Sequence, residues 1–252
     1  GGGFFIKTNW SSSLTDTLSA SAKTVEFRIK PTRQSSNVSY HLFSLSGSTP
    51  NNDPILVLSP YTGNDISSSG DSAQYGRLDL YLNGAITAST SYFPVYNGDF
   101  WNIHIGSVGT SGSSANINFG AYKSNFLKNI FYYNSSVLVG EQTRSLTFGD
   151  PYYSGNKGGA EFVYIGGVTA NSATSYDNLD NLSFSGSIQE IKYHFGELLS
   201  HDTLKKHALE PFMYSGNTIS SSYSNVVLRL PLGSNDMQDI SFFLVSDRLL
   251  SY

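Results

Sequence analysis

Apolar and polar residues alternate along much of this 252-residue chain with a period of two, the signature of strands with one face buried. Thr24–Lys30 is the clearest case, with Val25, Phe27 and Ile29 on one face and Glu26, Arg28 and Lys30 on the other. Pro31 closes it, because proline has no N–H to give a ladder. Ser39–Gly47 and Pro54–Pro60 read as the next two strands, separated by the turn-forming run STPNND. Arg77–Asn83 alternates again, with Leu78, Leu80 and Leu82 inward and Arg77, Asp79 and Tyr81 outward. Asn83-Gly84 predicts a tight hairpin, since both residues tolerate positive φ, and the strand after it, Ala85–Tyr92, reads as exposed on one side.

Trp101, Ile103 and Ile105 share one face of a further strand, and Asn116–Lys123 is its expected partner, turning Ile117, Phe119 and Ala121 inward. Phe126–Val139 fits either a strand pair or a strand with a helical turn. Arg144–Phe148, Glu161–Val168, Phe184–Phe195, Asn225–Leu230 and a run within Asp239–Leu250 complete about a dozen strands, with Phe212–Asn225 as polar connector. The predicted class is therefore all-β, two stacked antiparallel sheets or a barrel. No internal repeat is visible, which disfavours a propeller or solenoid.

Only one stretch reads as helix, Ser200 to about Leu209. Ser200 suits an N-cap. Asp202 near the start and Lys205, Lys206 and His207 near the end complement the helix dipole, and Pro211 stops propagation. Leu204 and Ala208, one turn apart, supply an apolar stripe for docking.

Two motifs carry a family resemblance. Phe184-x-Gly186-x-Ile188-x-x-Ile191-x-Tyr193-x-Phe195 followed by the short helix resembles the closing strand of laminin-G/concanavalin-like jelly rolls, and EFVYIGGV at Glu161–Val168 is similar to a strand just before it. VYNGDFWNIHIGS matches a third motif in part, with Asn102 where that pattern has His. The resemblance spans about Phe4 to Pro211 and implies a jelly-roll sandwich over residues 1–211. Residues 212–252 are then expected either to return strands to the same sandwich, pairing with Gly1–Trp10, or to begin a following unit. LEPFMYSGN and NVVLRLPLGSND also look similar to segments of large virion structural proteins of marine phages and related viruses. The start, Gly-Gly-Gly-Phe-Phe, reads as a segment of a longer chain, a processed product or an artificial start.

Composition narrows the functional classes. Charged residues make up 13% and aromatics 14%, with 17 Tyr and 16 Phe, so the core is ample and the surface is polar without being charged. That suits an extracellular or virion-surface protein. A net charge of −4 offers no basic footprint for phosphate backbones, so nucleic acid is not an expected partner. The absence of Cys removes thiolate nucleophiles, disulfides and Cys-ligated zinc. No apolar run reaches the ~18–20 residues that span a bilayer, so membrane insertion is not expected either.

Candidate chemistry is sparse. Glycoside hydrolysis needs two carboxylates roughly 5–10 Å apart on one face, yet Glu26, Glu141, Glu161, Glu190, Glu197 and Glu210 are scattered. Glu190 reads as a surface or rim residue. Histidines 41, 104, 194, 201 and 207 show no metal spacing, and His104, between Ile103 and Ile105, reads as solvated. No G-x-S-x-G elbow is present. No cofactor is expected. Structural calcium is the exception to weigh, and its candidate ligands are Asp150, Asp177 and Asp180, with Asn64–Asp71, Asp99 and Asn156 as further oxygen donors or plain turn formers. For glycan contact the candidates are Tyr152, Tyr153, Asn156 and Tyr176, with Tyr92 and Tyr96 weaker. The expectation is a non-catalytic structural or adhesive module, at a virion surface or in its assembly, whose rim loops meet neighbouring subunits or surface glycans. The alternative is a secreted lectin-like module of a cellular adhesin.

Overall fold

The computed structural model describes residues 6–10, 22–33, 38–46, 55–63, 71–82, 85–109, 115–139, 161–167, 183–224 and 226–232. Within them, twelve strands form two six-stranded antiparallel sheets. In spatial order the first contains β1 (Ile6–Trp10), β10 (Glu161–Ile165), β3 (Tyr40–Ser46), β4 (Ile55–Pro60), β5 (Gly76–Leu82) and β6 (Ala85–Ser89). The second contains β12 (Val226–Leu230), β11 (Gly186–Phe195), β2 (Lys23–Pro31), β7 (Trp101–Gly109), β8 (Ala115–Ser124) and β9 (Ile130–Val139). This is a jelly-roll sandwich, in which distant parts of the chain lie side by side in each sheet.

The inward residues of both sheets meet in one core. Val25, Phe27 and Ile29 from β2 and Trp101, Ile103 and Ile105 from β7 pack with Leu78 and Leu80 from β5 and with Ile188, Ile191 and Tyr193 from β11. Trp101 is boxed by the rings of Phe93 and Tyr133, at 4.9 and 5.9 Å between centroids. Aromatic side chains bury the largest areas per residue, so this cluster anchors the two layers to each other.

β6 runs antiparallel to β5 with Leu82 opposite Ala85; Asn83-Gly84, the expected hairpin turn, lies outside the described residues. The stretch left open between two readings resolves as a turn followed by a strand. Asn125 Oδ1 accepts from the amides of Leu127 and Asn129 at 3.0 and 2.9 Å, and Lys128 takes φ +62°, before β9 runs back along β8. β12 pairs with β11, and β1 pairs with β10. β11 bulges at Glu190, a non-glycine residue at φ +48°, where the register on β2 slips between Gln189 and Lys192.

α1 (His201–Leu209) forms where the sequence places it. Ser200 Oγ accepts from Thr203 N at 3.2 Å, and the Glu210 amide closes on Lys206 O at 2.8 Å. A second short helix, α2 (Ile219–Ser224), stands where a polar connector was expected. Its cause is local: Thr218 Oγ1 accepts from Ser221 N at 3.1 Å, while Ser221 Oγ accepts from Thr218 N at 2.9 Å, a reciprocal N-terminal cap. A run of Ser and Thr has little hydrophobic period to announce such a helix.

Candidate functional site

The chemistry of this molecule gathers on the outer face of the second sheet. Alternation puts Glu26 and Arg28 of β2, Asn102 and His104 of β7, Tyr122 of β8, and Lys192 and His194 of β11 on that face. Period-two reasoning hands such residues to solvent. The structure instead lays α1 and the segment after it across them. Leu199, Leu204 and Ala208 pack on Tyr122, which is the docking expected of the Leu204/Ala208 stripe.

Hydrogen bonds then fasten the helix end to the sheet. Asn102 Nδ2 donates to His207 O at 2.8 Å, and Ser124 Oγ donates to Ala208 O at 2.6 Å, satisfying two of the carbonyls a helix terminus leaves open. Lys192 Nζ donates to the carbonyls of Pro211 and Met213. At the other end Thr24 Oγ1 donates to Glu197 O at 3.0 Å and accepts from Leu199 N at 2.9 Å.

Under this cover lies a buried ionisable cluster that the one-dimensional reading missed. His207 Nδ1 lies 2.7 Å from Glu26 Oε2, and its Nε2 lies 3.3 Å from Ser215 Oγ. His194 Nε2 stands 3.5 Å from the same carboxylate oxygen, and the two imidazoles stack with centroids 5.9 Å apart. Both histidines are fully buried. Burial by itself would raise the Glu26 carboxyl, but the charge of His207, contacts with His194 and His207, and Lys192 outweigh it and hold Glu26 well below the usual carboxylate range.

Several expectations therefore change. His104 is 4% exposed rather than solvated, and burial lowers its imidazole to about 4 against Glu26 and the Gly120 carbonyl, which favour its charged form. Glu190 is not a rim residue. It is 1% exposed and takes a two-pronged ion pair from Arg229 of β12, at 3.0 and 3.2 Å. The lack of linear metal spacing did not keep histidines apart, because Glu26, His194 and His207 come from β2, β11 and α1. The one signal available was His207, placed on the same helical stripe as Leu204 and Ala208.

Beside the helix the same face is open. Tyr132 on β9 is half exposed, its ring met edge-on by His201 at 4.4 Å and approached by Lys205 Nζ at 5.9 Å. Asn134 donates to Tyr122 Oη, and His201 Nδ1 lies 2.6 Å from that same hydroxyl. Burial pushes the Tyr122 phenol up to about 12, so it remains a neutral linker between these groups. Phe126 and Leu127, at 91% and 63% exposure, project from the turn before β9, and Leu138 lies exposed further along the strand.

The candidates named from the sequence fall mostly elsewhere. Tyr152, Tyr153, Asn156 and Tyr176, with Asp150, Asp177 and Asp180, lie outside the described residues, as do Asn64–Gly70. Among those described, the Asp99 carboxylate is engaged by Lys123. Tyr92 is met by the Tyr61 ring and the Arg77 guanidinium, and Tyr96 packs against the core beneath Arg33. No described helix is long and apolar enough to cross a membrane.

No protein-family model matches the chain, and no curated protein matches its sequence. Solved structures with similar folds include the Ruminococcus gnavus IT-sialidase CBM40, with a TM-score of 0.38 and 11% identity over 75% of this chain and 84% of that one. Likeness at that level transfers neither a ligand nor a residue role.

Proposed function

We propose that this chain is a non-catalytic β-sandwich module that binds glycan at its surface, acting outside the cell or on a virion. The observation that carries the reading is the half-exposed Tyr132 ring, fixed by His201 and flanked by Asn134 and Lys205. A pre-oriented aromatic offers an apolar platform to the C–H face of a sugar, and the neighbouring polar groups can meet its hydroxyls. Little ordering entropy opposes binding, because the ring is already held. The non-catalytic part of the reading draws on the carboxylates: Glu26 and Glu190 are buried and engaged rather than paired across an open cleft.

Saturable binding on a glycan array, reduced at least tenfold by Tyr132→Ala with unchanged circular dichroism, is the expected result. Binding that is indifferent to Tyr132, or absent from every glycan, overturns this placement. The second reading is a structural component of an assembly, favoured by the exposed apolar residues Phe126, Leu127 and Leu138 along one edge of the sheet. On that reading the isolated chain self-associates by light scattering, and Phe126→Ser with Leu127→Ser abolishes the association.

A further inference from the structure

The cluster under α1 holds one group that the fold itself does not account for. Neither ring nitrogen of His194 makes a hydrogen bond, although the residue is 0% exposed. Native interiors rarely leave a buried polar atom unpartnered, and an ion that completes the group is one recognised reason. His194 is also aimed at something: its Nε2 stands 3.5 Å from Glu26 Oε2, which already faces His207 Nδ1 at 2.7 Å. The three side chains each present a ligand atom within 4.8 Å of the others. In a tetrahedral zinc site with bonds of about 2.0–2.1 Å, neighbouring ligand atoms stand roughly 3.3 Å apart. The His194–Glu26 spacing is therefore close to what a bound ion needs, and the shorter His207–Glu26 contact has to lengthen by about half an ångström to admit one.

We propose that Glu26, His194 and His207 bind a divalent first-row transition ion, with zinc as the occupant their chemistry favours. Two imidazoles and one carboxylate, without thiolate, form a borderline donor set that suits zinc better than calcium or magnesium. Ser215 Oγ, 3.3 Å from His207 Nε2, orients that ring from its far side, in the manner of partners that fix metal-bound histidines. The ligands come from β2, β11 and α1, so the ion staples the helix to the sheet. Its role is structural. The charged groups facing the site are few: Lys192 is tied to the Pro211 and Met213 carbonyls, and Arg28 stands further along β2. Metal ligands bind in their deprotonated forms, so affinity rises with pH.

The test uses the full 252-residue chain, stripped with chelator and titrated with zinc chloride and, separately, cobalt(II). One ion per chain by calorimetry, a tetrahedral cobalt absorption spectrum and a zinc-dependent rise in thermal midpoint are expected. In His194→Gln, which removes a ring that makes no hydrogen bond, affinity should drop at least a hundredfold while circular dichroism is retained. Asp202→Asn, at the exposed start of α1, controls for surface ligands and should bind as the parent does. A folded parent protein that takes up no zinc, or binding of equal strength in His194→Gln, overturns the proposal.

Discussion

At the scale of single residues, burial of ionisable groups is the dominant fact. His41 on β3 is 1% exposed with neither ring nitrogen partnered, and desolvation lowers it to about 4. His104 reaches a similar value, with Glu26 and the Gly120 carbonyl favouring its charged form and His201 opposing it. The ordinary histidine value is about 6.5, so between there and about 4 the unfolded chain binds protons that the folded chain refuses. Stability therefore rises with pH across that window and falls on acidification through it. Each histidine contributes up to roughly 3 kcal/mol at full effect, from a displacement between about 6.5 and about 4. Urea unfolding of the metal-free protein should show lower midpoints at pH 5 than at pH 7, and His104→Gln should weaken that dependence. A flat profile over the interval would mean that water reaches both rings. The sequence named His104 but sent it to solvent, because alternation tells which face a residue occupies and not what covers the face.

Among the elements, α1 was the most legible, since a capping serine, dipole-matched charges and a stopping proline all act within one segment. Ser200→Ala should cost about 1 kcal/mol, lowering the thermal midpoint by about 2–4 °C for a domain of this size, and Ser200→Asp should restore it. β12 is tied to β11 differently, through the buried Glu190 carboxylate and the part-exposed Arg229 guanidinium. Arg229→Ala strands that carboxylate, and chemical denaturation should register a loss of about 2–4 kcal/mol. Adding Glu190→Gln should recover part of it, whereas additive losses would show that the two side chains do not couple. Neither the bulge at Glu190 nor the arginine that reaches it from β12 was legible, because the bulge exists only in register with β2. α2 escaped for the opposite reason: its Thr218–Ser221 cap is local, but it lies in a serine-rich run without an apolar stripe.

For the whole molecule, the strand pattern gave an all-β chain that fitted stacked sheets or a barrel, the resemblance pointed to the sandwich, and the structure puts Val25, Leu80, Ile103 and Ile191 in one core between two antiparallel layers. A side-chain period of two is a property of the backbone, and a contiguous apolar face has to be covered whatever the neighbours are. What the chain alone could not determine was which polar face would be covered as well. That depended on α1 crossing the second sheet, which brings Glu26, His194 and His207 together from positions up to 181 residues apart. Linear motifs find ligands that share one helix or loop, and these three share only a place. The same crossing left Tyr132 open beside the helix rather than beneath it. Sequence thus determined the one-faced strands and the helix through local periodicity and capping, while the site was decided by how one helix packs on one sheet, a long-range contact that no local pattern encodes.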